Sequence, residues 1–494
     1  MLDNNIRLAG VLDLKSKYIY GYNKKKVYKI FYPLNNNYSK FIIPYKDTLF
    51  IYNIIIIAKI KKIDNDIIIG EIIEKIGNLD KPNIEIYSKS LLYYYNINII
   101  KNNKPFNDIN LLQIKYYNNI PEKEKNINFI CNIDPLYCDD IDDLISYNEI
   151  NNQKIIGIHI CDIISVLKIL EIDYNDIART IIDSNMYNTI YGYNKKYNIL
   201  NDYLIKNFLS LELNQPRYVL SIYIYYDNNY NIINYVNNSE ILINKNTYTY
   251  EEANKLLENN SNLYLKEISN FCFHIGKQYP EIYNSYDNHI YNSHYIIAIL
   301  MIIYNQYMGN LLKLENETIF RISDNFESEY KYNDNNNYHQ ILNIHNYLHF
   351  TSPIRRFVDQ YNHLIYYKKF KSSLSFNYKI DIDKMNNEIK NLKYLNNKFK
   401  LLKLVNKNLI LKLLDFKFND NNLYLKWLID NNIFIDIIYD AYILNINDNI
   451  NFINRLNISE SILLIKNNNY KLKISLELTG SYNLPKILIN YFTS

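Results

Sequence analysis

Five carboxylates stand within ten residues of this chain, at Asp134, Asp139, Asp140, Asp142 and Asp143, directly after an apolar stretch and around Pro135. Four of them, Asp134, Asp140, Asp142 and Asp143, cannot all ionise at close range without a compensating cation, because like charges oppose one another's ionisation. Carboxylate oxygens are hard ligands, suited to Mg²⁺ or Mn²⁺ rather than zinc. A cage of this kind is what enzymes use to cut or join phosphodiesters, where bound metal activates water and stabilises developing charge. Taken alone, the run also reads as a solvated acidic loop. Pro135 biases the residue before it to an extended backbone, which would project Asp134 from a strand end.

Two further motifs favour the chemical reading. Gly157-Ile-His-Ile-Cys-Asp162 follows the acidic run, and Tyr347-Leu-His-Phe-Thr-Ser-Pro-Ile-Arg-Arg-Phe-Val-Asp359, then His363, lies far downstream. In this order the three blocks resemble the ribonuclease II/R (RNB) family, which includes the exoribonuclease subunit of the eukaryotic exosome. That family carries I-D-P-x-x-x-x-D-x-D-D, G-(V/I)-H-I-A-D and Y-x-H-F-T-S-P-I-R-R-(Y/F)-x-D-x-x-x-H. Weaker echoes lie between the blocks, at Ala178-Arg179, at Ser210 to Arg217 and at Phe320-Arg-Ile-Ser-Asp324.

The resemblance implies a site. Asp134, Asp140 and Asp143 align with metal-binding aspartates, and Asp142 with the one whose loss is most damaging, placed at a second metal or the attacking water. Arg355 aligns with the arginine that neutralises the scissile phosphate in the transition state. Arg356 is expected either on a neighbouring phosphate or paired with an acid in the wall. Tyr250 aligns with an aromatic that stacks on the 3′-terminal bases, with an ordinary helix-entry tyrosine as the alternative. Arg179 and Arg217 are taken as further RNA ligands. His159, His349 and His363 are read as core residues rather than ligands, since Mg²⁺ prefers oxygen. One departure stands out. Relatives open a later helix with a Glu-Glu pair near the terminal ribose, where this chain has Asn292 and Ser293. Neutral groups there would relax discrimination against DNA.

Composition agrees with a nucleic-acid partner without demanding one. The net charge is only +4 over 494 residues. Lysine is abundant, whereas arginine occurs only at positions 7, 179, 217, 321, 355, 356 and 455. Isoleucine, asparagine, lysine and tyrosine dominate, a bias that an AT-rich genome would impose. A planar fork that grips phosphate in two places cannot be replaced by an ammonium, so arginines surviving this bias are expected to have geometric work. Cys131, Cys138, Cys161 and Cys272 lack C-x-x-C spacing, which argues against a zinc site or a disulfide framework. No signal-peptide core is evident, and the longest apolar run, from Tyr295 to Tyr304, falls short of a membrane span. An intracellular, cytoplasmic protein with no membrane partner is expected.

The elements that must position these residues follow from periodicity and resemblance. Residues 1–80 alternate short β-branched runs with turn residues and resemble a cold-shock-like OB barrel. Residues 81–122 form a mixed connector, and 123–414 the RNB catalytic domain. Within it, strands are expected at 155–160 and 218–226, and helices at 251–258, 292–310, 354–369 and 382–414. Residues 415–494 return to strands, in the position of an S1-like OB barrel. The fold class is therefore α+β, a central catalytic domain flanked by OB-type barrels. The leading functional reading is a processive, metal-dependent 3′→5′ exoribonuclease that releases nucleoside 5′-monophosphates from single-stranded RNA, with Mg²⁺ or Mn²⁺ as cofactor. Exosome-like or other RNA-processing proteins are further partners the resemblance suggests. A catalytically weakened RNA-binding scaffold is the second reading. A non-enzymatic metal-binding protein is the third, and it leaves Ser352-Pro-Ile-Arg-Arg356 unexplained.

Overall fold

The computed structural model describes residues 7–405 except 24–25, 36, 47–51, 65–66, 80–83, 96, 101–107, 122–124, 285, 287–288, 325–327, 335 and 372–378; beyond 405 it describes the backbone of seven strands. The chain divides into two compact units, residues 1–99, 190–197 and 390–494 in one and residues 100–189 and 198–389 in the other.

In the first unit, β1 (Arg7–Leu12), β2 (Lys26–Pro33), β3 (Phe41–Tyr45), β4 (Ile54–Asp64) and β5 (Ile67–Asn78) close a ring. β1 pairs β2, β2 pairs β3, β3 pairs β5 in parallel, β5 pairs β4, and β4 returns to β1. This is the connectivity of an OB barrel. The unbroken apolar run Ile54–Ile57 is explained by two buried faces. Ile54 and Ile56 enter the barrel core with Leu8, Leu12, Phe31, Phe41 and Ile43. Ile55 faces outward onto α1 (Ile84–Tyr94), whose Ile86, Tyr93 and Tyr94 cover Ala9, Val11 and Ile55.

Beyond residue 405, the strands Asn408–Asn419, Asn422–Ile429, Ile433–Ile446, Asn469–Glu477 and Lys486–Thr493 lie in the order third, second, first, fourth, fifth. That is an OB ring opened between its third and fifth strands, with the hairpin Asn449–Asn454 and Ser461–Ile465 extending the long third strand. The expected helix 382–414 stops at Leu402, and the expected domain boundary at 414 falls inside a strand. An apolar run such as Leu409 to Leu414 fits either element by periodicity, and pairing with Asn422–Ile429 decides it.

The second unit is built on a six-stranded sheet of β6 (Phe129–Asp134), β7 (Asp143–Ile150), β8 (Gln153–Cys161), β9 (Pro216–Tyr226), β10 (Ile232–Ile243) and β11 (Asn246–Thr249), in the order β10-β9-β8-β7-β6-β11. Only β11 runs parallel to its neighbour. Around it pack α2 (Tyr250–Glu258), α3 (Leu263–Gly276), α4 (Ser293–Leu312) and α5 (Phe357–Phe370). α4 is long and apolar enough to cross a membrane by length and composition, yet most of it is buried in this unit. The hydroxyl of its Tyr304 donates to the Leu220 carbonyl of β9 at 2.9 Å. α5 begins at Phe357 rather than 354, because Ser352 to Arg356 forms a turn in which the Arg356 amide donates to the Ser352 carbonyl at 3.0 Å.

Candidate active site

One end of the six-stranded sheet gathers the acidic residues. β6 ends on Asp134, β7 starts on Asp143, and the parallel pairing of β11 sets Thr249 beside Asp134. The loop between β6 and β7 is anchored from behind. The Ile141 amide donates to the Ser210 hydroxyl at 3.1 Å and the Cys161 amide to the Asp142 carbonyl at 2.9 Å. Asp134 accepts from the Asn132 amide at 2.9 Å, and Asn132 in turn accepts from Asn244 at 2.8 Å. Asp140 and Asp142 are buried.

Asp142 joins the two distant motifs. Its Oδ1 accepts from the Ile354 amide at 2.9 Å and its Oδ2 from Arg355 Nε at 2.8 Å. Arg355 Nη2 donates to the Ser352 hydroxyl at 3.0 Å. The Arg355 side chain stays 42% exposed, while that of Asp142 is 2% exposed. Asp359 clamps the same turn. Its Oδ1 accepts from the Ser352 amide at 2.7 Å and from Arg356 Nη2 at 2.8 Å. Arg356 therefore sits in the wall with an acid, the second of its two expected placements.

Burial raises the carboxyl groups of Asp134 and Asp143, and the charge of Asp134 raises Asp143 further. Asp142 is pushed up to about 7 by burial, against the opposing pull of Arg355 and the Ile354 amide. A cluster of this kind favours a proton or a cation. Its all-oxygen donors and mutual repulsion suit a hard divalent ion. Among the described residues no three His, Cys, Asp or Glu side chains converge on one point, since Asp134 turns to Asn132 and Asp142 to Arg355.

Tyr250 opens α2, behind a reciprocal cap in which the Thr249 hydroxyl and the Glu252 carboxylate each accept from the other's backbone amide. Tyr250 follows Thr249, which pairs beside Asp134, so it stands at the acidic end of the sheet; burial raises its phenol, and the charges of Asp143 and Asp134 raise it further. The His294 ring stacks on it at 3.6 Å and 12°. Ser293 does not take the place of a ribose-reading glutamate. It is buried, and its hydroxyl donates to the Tyr250 carbonyl at 3.0 Å and lies 2.7 Å from the Asn254 side chain. Asn292 caps α4 by accepting from the Tyr295 amide. The Ser293 hydroxyl is thus engaged within the fold, and His294 is the residue of this helix entry that faces Tyr250.

The other expected RNA ligands lie apart from this arrangement. Arg179 is exposed on the helix Tyr174–Ser184, 3.8 Å from Asp183. Arg217, expected on RNA, is instead buried. It is 2% exposed, and its guanidinium donates to the carbonyls of Ser210, Pro216 and Lys206. A short segment that ends one loop and starts a strand needs a multidentate donor inside, and arginine meets that need as well as it meets phosphate. Arg217→Met should therefore cost about 3 kcal/mol or more of stability by orphaning buried carbonyls, with RNA affinity of the folded protein unchanged. Urea unfolding beside a binding titration checks this, and weaker binding at unchanged stability would return Arg217 to the RNA.

All three motif histidines hold structural bonds. His159 bridges the Ser146 and Ser221 hydroxyls at 2.8 Å each, and a side chain at Gly157 would strike its ring, which explains the Gly-x-His spacing. His349 hydrogen-bonds the Tyr330 hydroxyl, and His363 Nε2 donates to the Phe350 carbonyl. The sequence gives no role to Asp359, Asn132 or Asn244. Asp359 carries a usable signal, its three-residue spacing from Arg356. The asparagines carry none in a chain so rich in them.

A family model described as the RNB domain matches residues 123–275 and 327–372. The sequence matches no curated protein. Among solved structures, the apo form of Mycoplasma genitalium RNase R is similar at 16% identity and a TM-score of 0.64, over 95% of this chain and 87% of that one. The same enzyme in complex with double-stranded RNA gives 17% and 0.61, over 93% and 95%. Yeast Ssd1, a pseudonuclease, gives 11% and 0.60, over 99% and 83%. At these identities the likeness is one of fold.

Proposed function

We propose that this chain, whose residues 123–275 and 327–372 match the RNB domain, is a metal-dependent, processive 3′→5′ exoribonuclease that hydrolyses single-stranded RNA to nucleoside 5′-monophosphates. The carrying observation is the Asp142–Arg355 pair, a half-exposed guanidinium held at 2.8 Å by a buried carboxylate of the acidic cluster. Nε is fixed by Asp142 and Nη2 by Ser352, so the fork is oriented before a phosphate arrives and needs no reordering as charge develops. Tyr250 offers a ring to the terminal bases without regard to sequence. Mg²⁺ or Mn²⁺ would be held by Asp134, Asp140, Asp142 and Asp143, which would have to draw together from the positions they hold here. When bound it supplies an activated water and neutralises charge on the phosphate. Single-stranded RNA is the proposed partner, and a Mycoplasma genitalium RNase R of like fold has been solved with a ribose-methylated single strand. Free cysteines, three of them buried, support a reducing intracellular setting.

A second reading, RNA binding without hydrolysis, draws on the fact that both Asp142 oxygens already have protein donors. Incubation of 5′-labelled single-stranded RNA with and without Mg²⁺ separates the two. Stepwise shortening that needs Mg²⁺ and releases mononucleotides supports the enzyme, while binding with no shortening favours the scaffold.

The buried carboxylates give a test independent of turnover. With Asp142 near 7 when folded and near 4 when unfolded, the folded state holds the extra proton between those values. In EDTA, stability should fall as pH rises across that window. Mg²⁺ should therefore raise the Tm by more at pH 8 than at pH 5, because it competes with the proton for the same oxygens. Equal shifts at both pH values would remove these aspartates from metal binding.

A further inference from the structure

Ten non-glycine residues among those described have positive φ, and seven of them are asparagine, which tolerates this region best. A chain so rich in asparagine has a ready answer wherever a turn needs a left-handed residue. The exceptions are Tyr137, Glu171 and Tyr230. Glu171 pairs with Lys115, and Tyr230 stacks on Tyr226 and lies against His274. Their strain is offset inside the fold. Tyr137 differs. It has φ 64, it is 92% exposed, and among the described residues it has no ring, hydrogen-bond or ionic partner. Its neighbour Leu136 is 64% exposed.

The turn that presents Tyr137 is firm. Pro135 opens it, the Cys138 amide closes it on the Pro135 carbonyl at 3.1 Å, and Ile141 is tied to Ser210 just beyond. Tyr137 is the third residue of this turn, where a positive φ ordinarily selects glycine or asparagine. It stands three residues from Asp134 and three from Asp140, inside the loop that carries the carboxylates. An exposed aromatic in a strained backbone conformation, with nothing among the described residues to offset it, points to a ligand that does.

We propose that Tyr137 stacks on a base of the RNA strand bound beside the acidic cluster. The inference rests on the RNA-degrading reading above and adds a contact to it. A protein partner would need a broader apolar patch than Leu136 and Tyr137 between prolyl and acidic neighbours. A base needs one ring face, and the fixed turn supplies it already oriented.

The turn geometry makes the test decisive, because glycine suits φ 64 better than tyrosine. In an Asp142→Asn background, which allows equilibrium titration without turnover, Tyr137→Gly should leave the Tm unchanged or higher and weaken binding of a short oligouridylate about tenfold. Tyr137→Phe should bind like the parent, since the ring and not the hydroxyl is in contact. Scanning an abasic nucleotide along the oligonucleotide should find one position where the glycine variant loses no further affinity. Equal binding by the parent and Tyr137→Gly would overturn the proposal, as would a lowered Tm, which would make the tyrosine structural. If the wild type neither binds nor shortens RNA, the functional reading itself fails, an outcome distinct from these.

Discussion

Asp142→Asn should reduce RNA degradation to below a tenth of the wild-type rate while leaving RNA binding intact or tighter. The asparagine keeps an acceptor for the Ile354 amide, so the Ser352–Arg356 turn stays in place. What is lost is the anion that holds Arg355 and, in the proposed mechanism, contributes to the metal site. The variant should also be at least as stable as the wild type at pH 8 in EDTA, because the cost of ionising a buried carboxyl disappears. Its Mg²⁺-dependent Tm shift should shrink, because one anionic ligand of the proposed metal site is lost. Single-turnover assays with labelled RNA and a filter-binding titration separate the effects. A variant that retains a tenth or more of the wild-type rate sinks the role given to Asp142.

Arg355→Lys should cut single-turnover cleavage by about a hundredfold or more, corresponding to a contact worth a few kcal/mol in the transition state. Charge is preserved and geometry is not. Arg355 divides its fork between Asp142 and Ser352 while part of it stays accessible. A lysine ammonium can hold the carboxylate or reach a phosphate, and lacks the planar array to do both. Affinity for RNA should change little, since most of it comes from distributed contacts with the backbone phosphates. An unchanged cleavage rate would show that Arg355 only neutralises charge at a distance.

The motifs were legible because their chemistry is local. The aspartate run, the Ser-Pro-Ile-Arg-Arg turn and the tyrosine at the head of α2 each read directly from neighbouring residues, and the structure places the aspartates, Arg355 and Tyr250 at one end of one sheet. What the residues could not disclose was partnership. Asp142 and Arg355 are 213 positions apart, and nothing near either one announces the other. The place of Arg217 was not legible because a buried carbonyl cluster and a phosphate ask for the same fork of donors. The partners of Ser293 were not legible because Tyr250 and Asn254, which engage its hydroxyl, come from another helix. The N-terminal barrel was readable from alternation of apolar runs and turns. The switch from helix to strand near 408 was not, since a run of leucine and isoleucine satisfies both periods and only its pairing with Asn422–Ile429 decides.

The long separation of Asp142 from Arg355 also orders events in time. A ribosome delivers the chain from its N-terminus at roughly 5–20 residues per second, so the acidic loop emerges many seconds before the arginine that completes it. Until the segment through Asp359 has left the exit tunnel, Asp142 has no guanidinium partner and the Ser352 turn does not exist. If the protein degrades RNA as proposed, every truncated or stalled product ending before that point is harmless to the message still threaded through the ribosome that made it. Arranged this way, the proposed site could not assemble until every residue from Asp134 to Asp359 had left the ribosome.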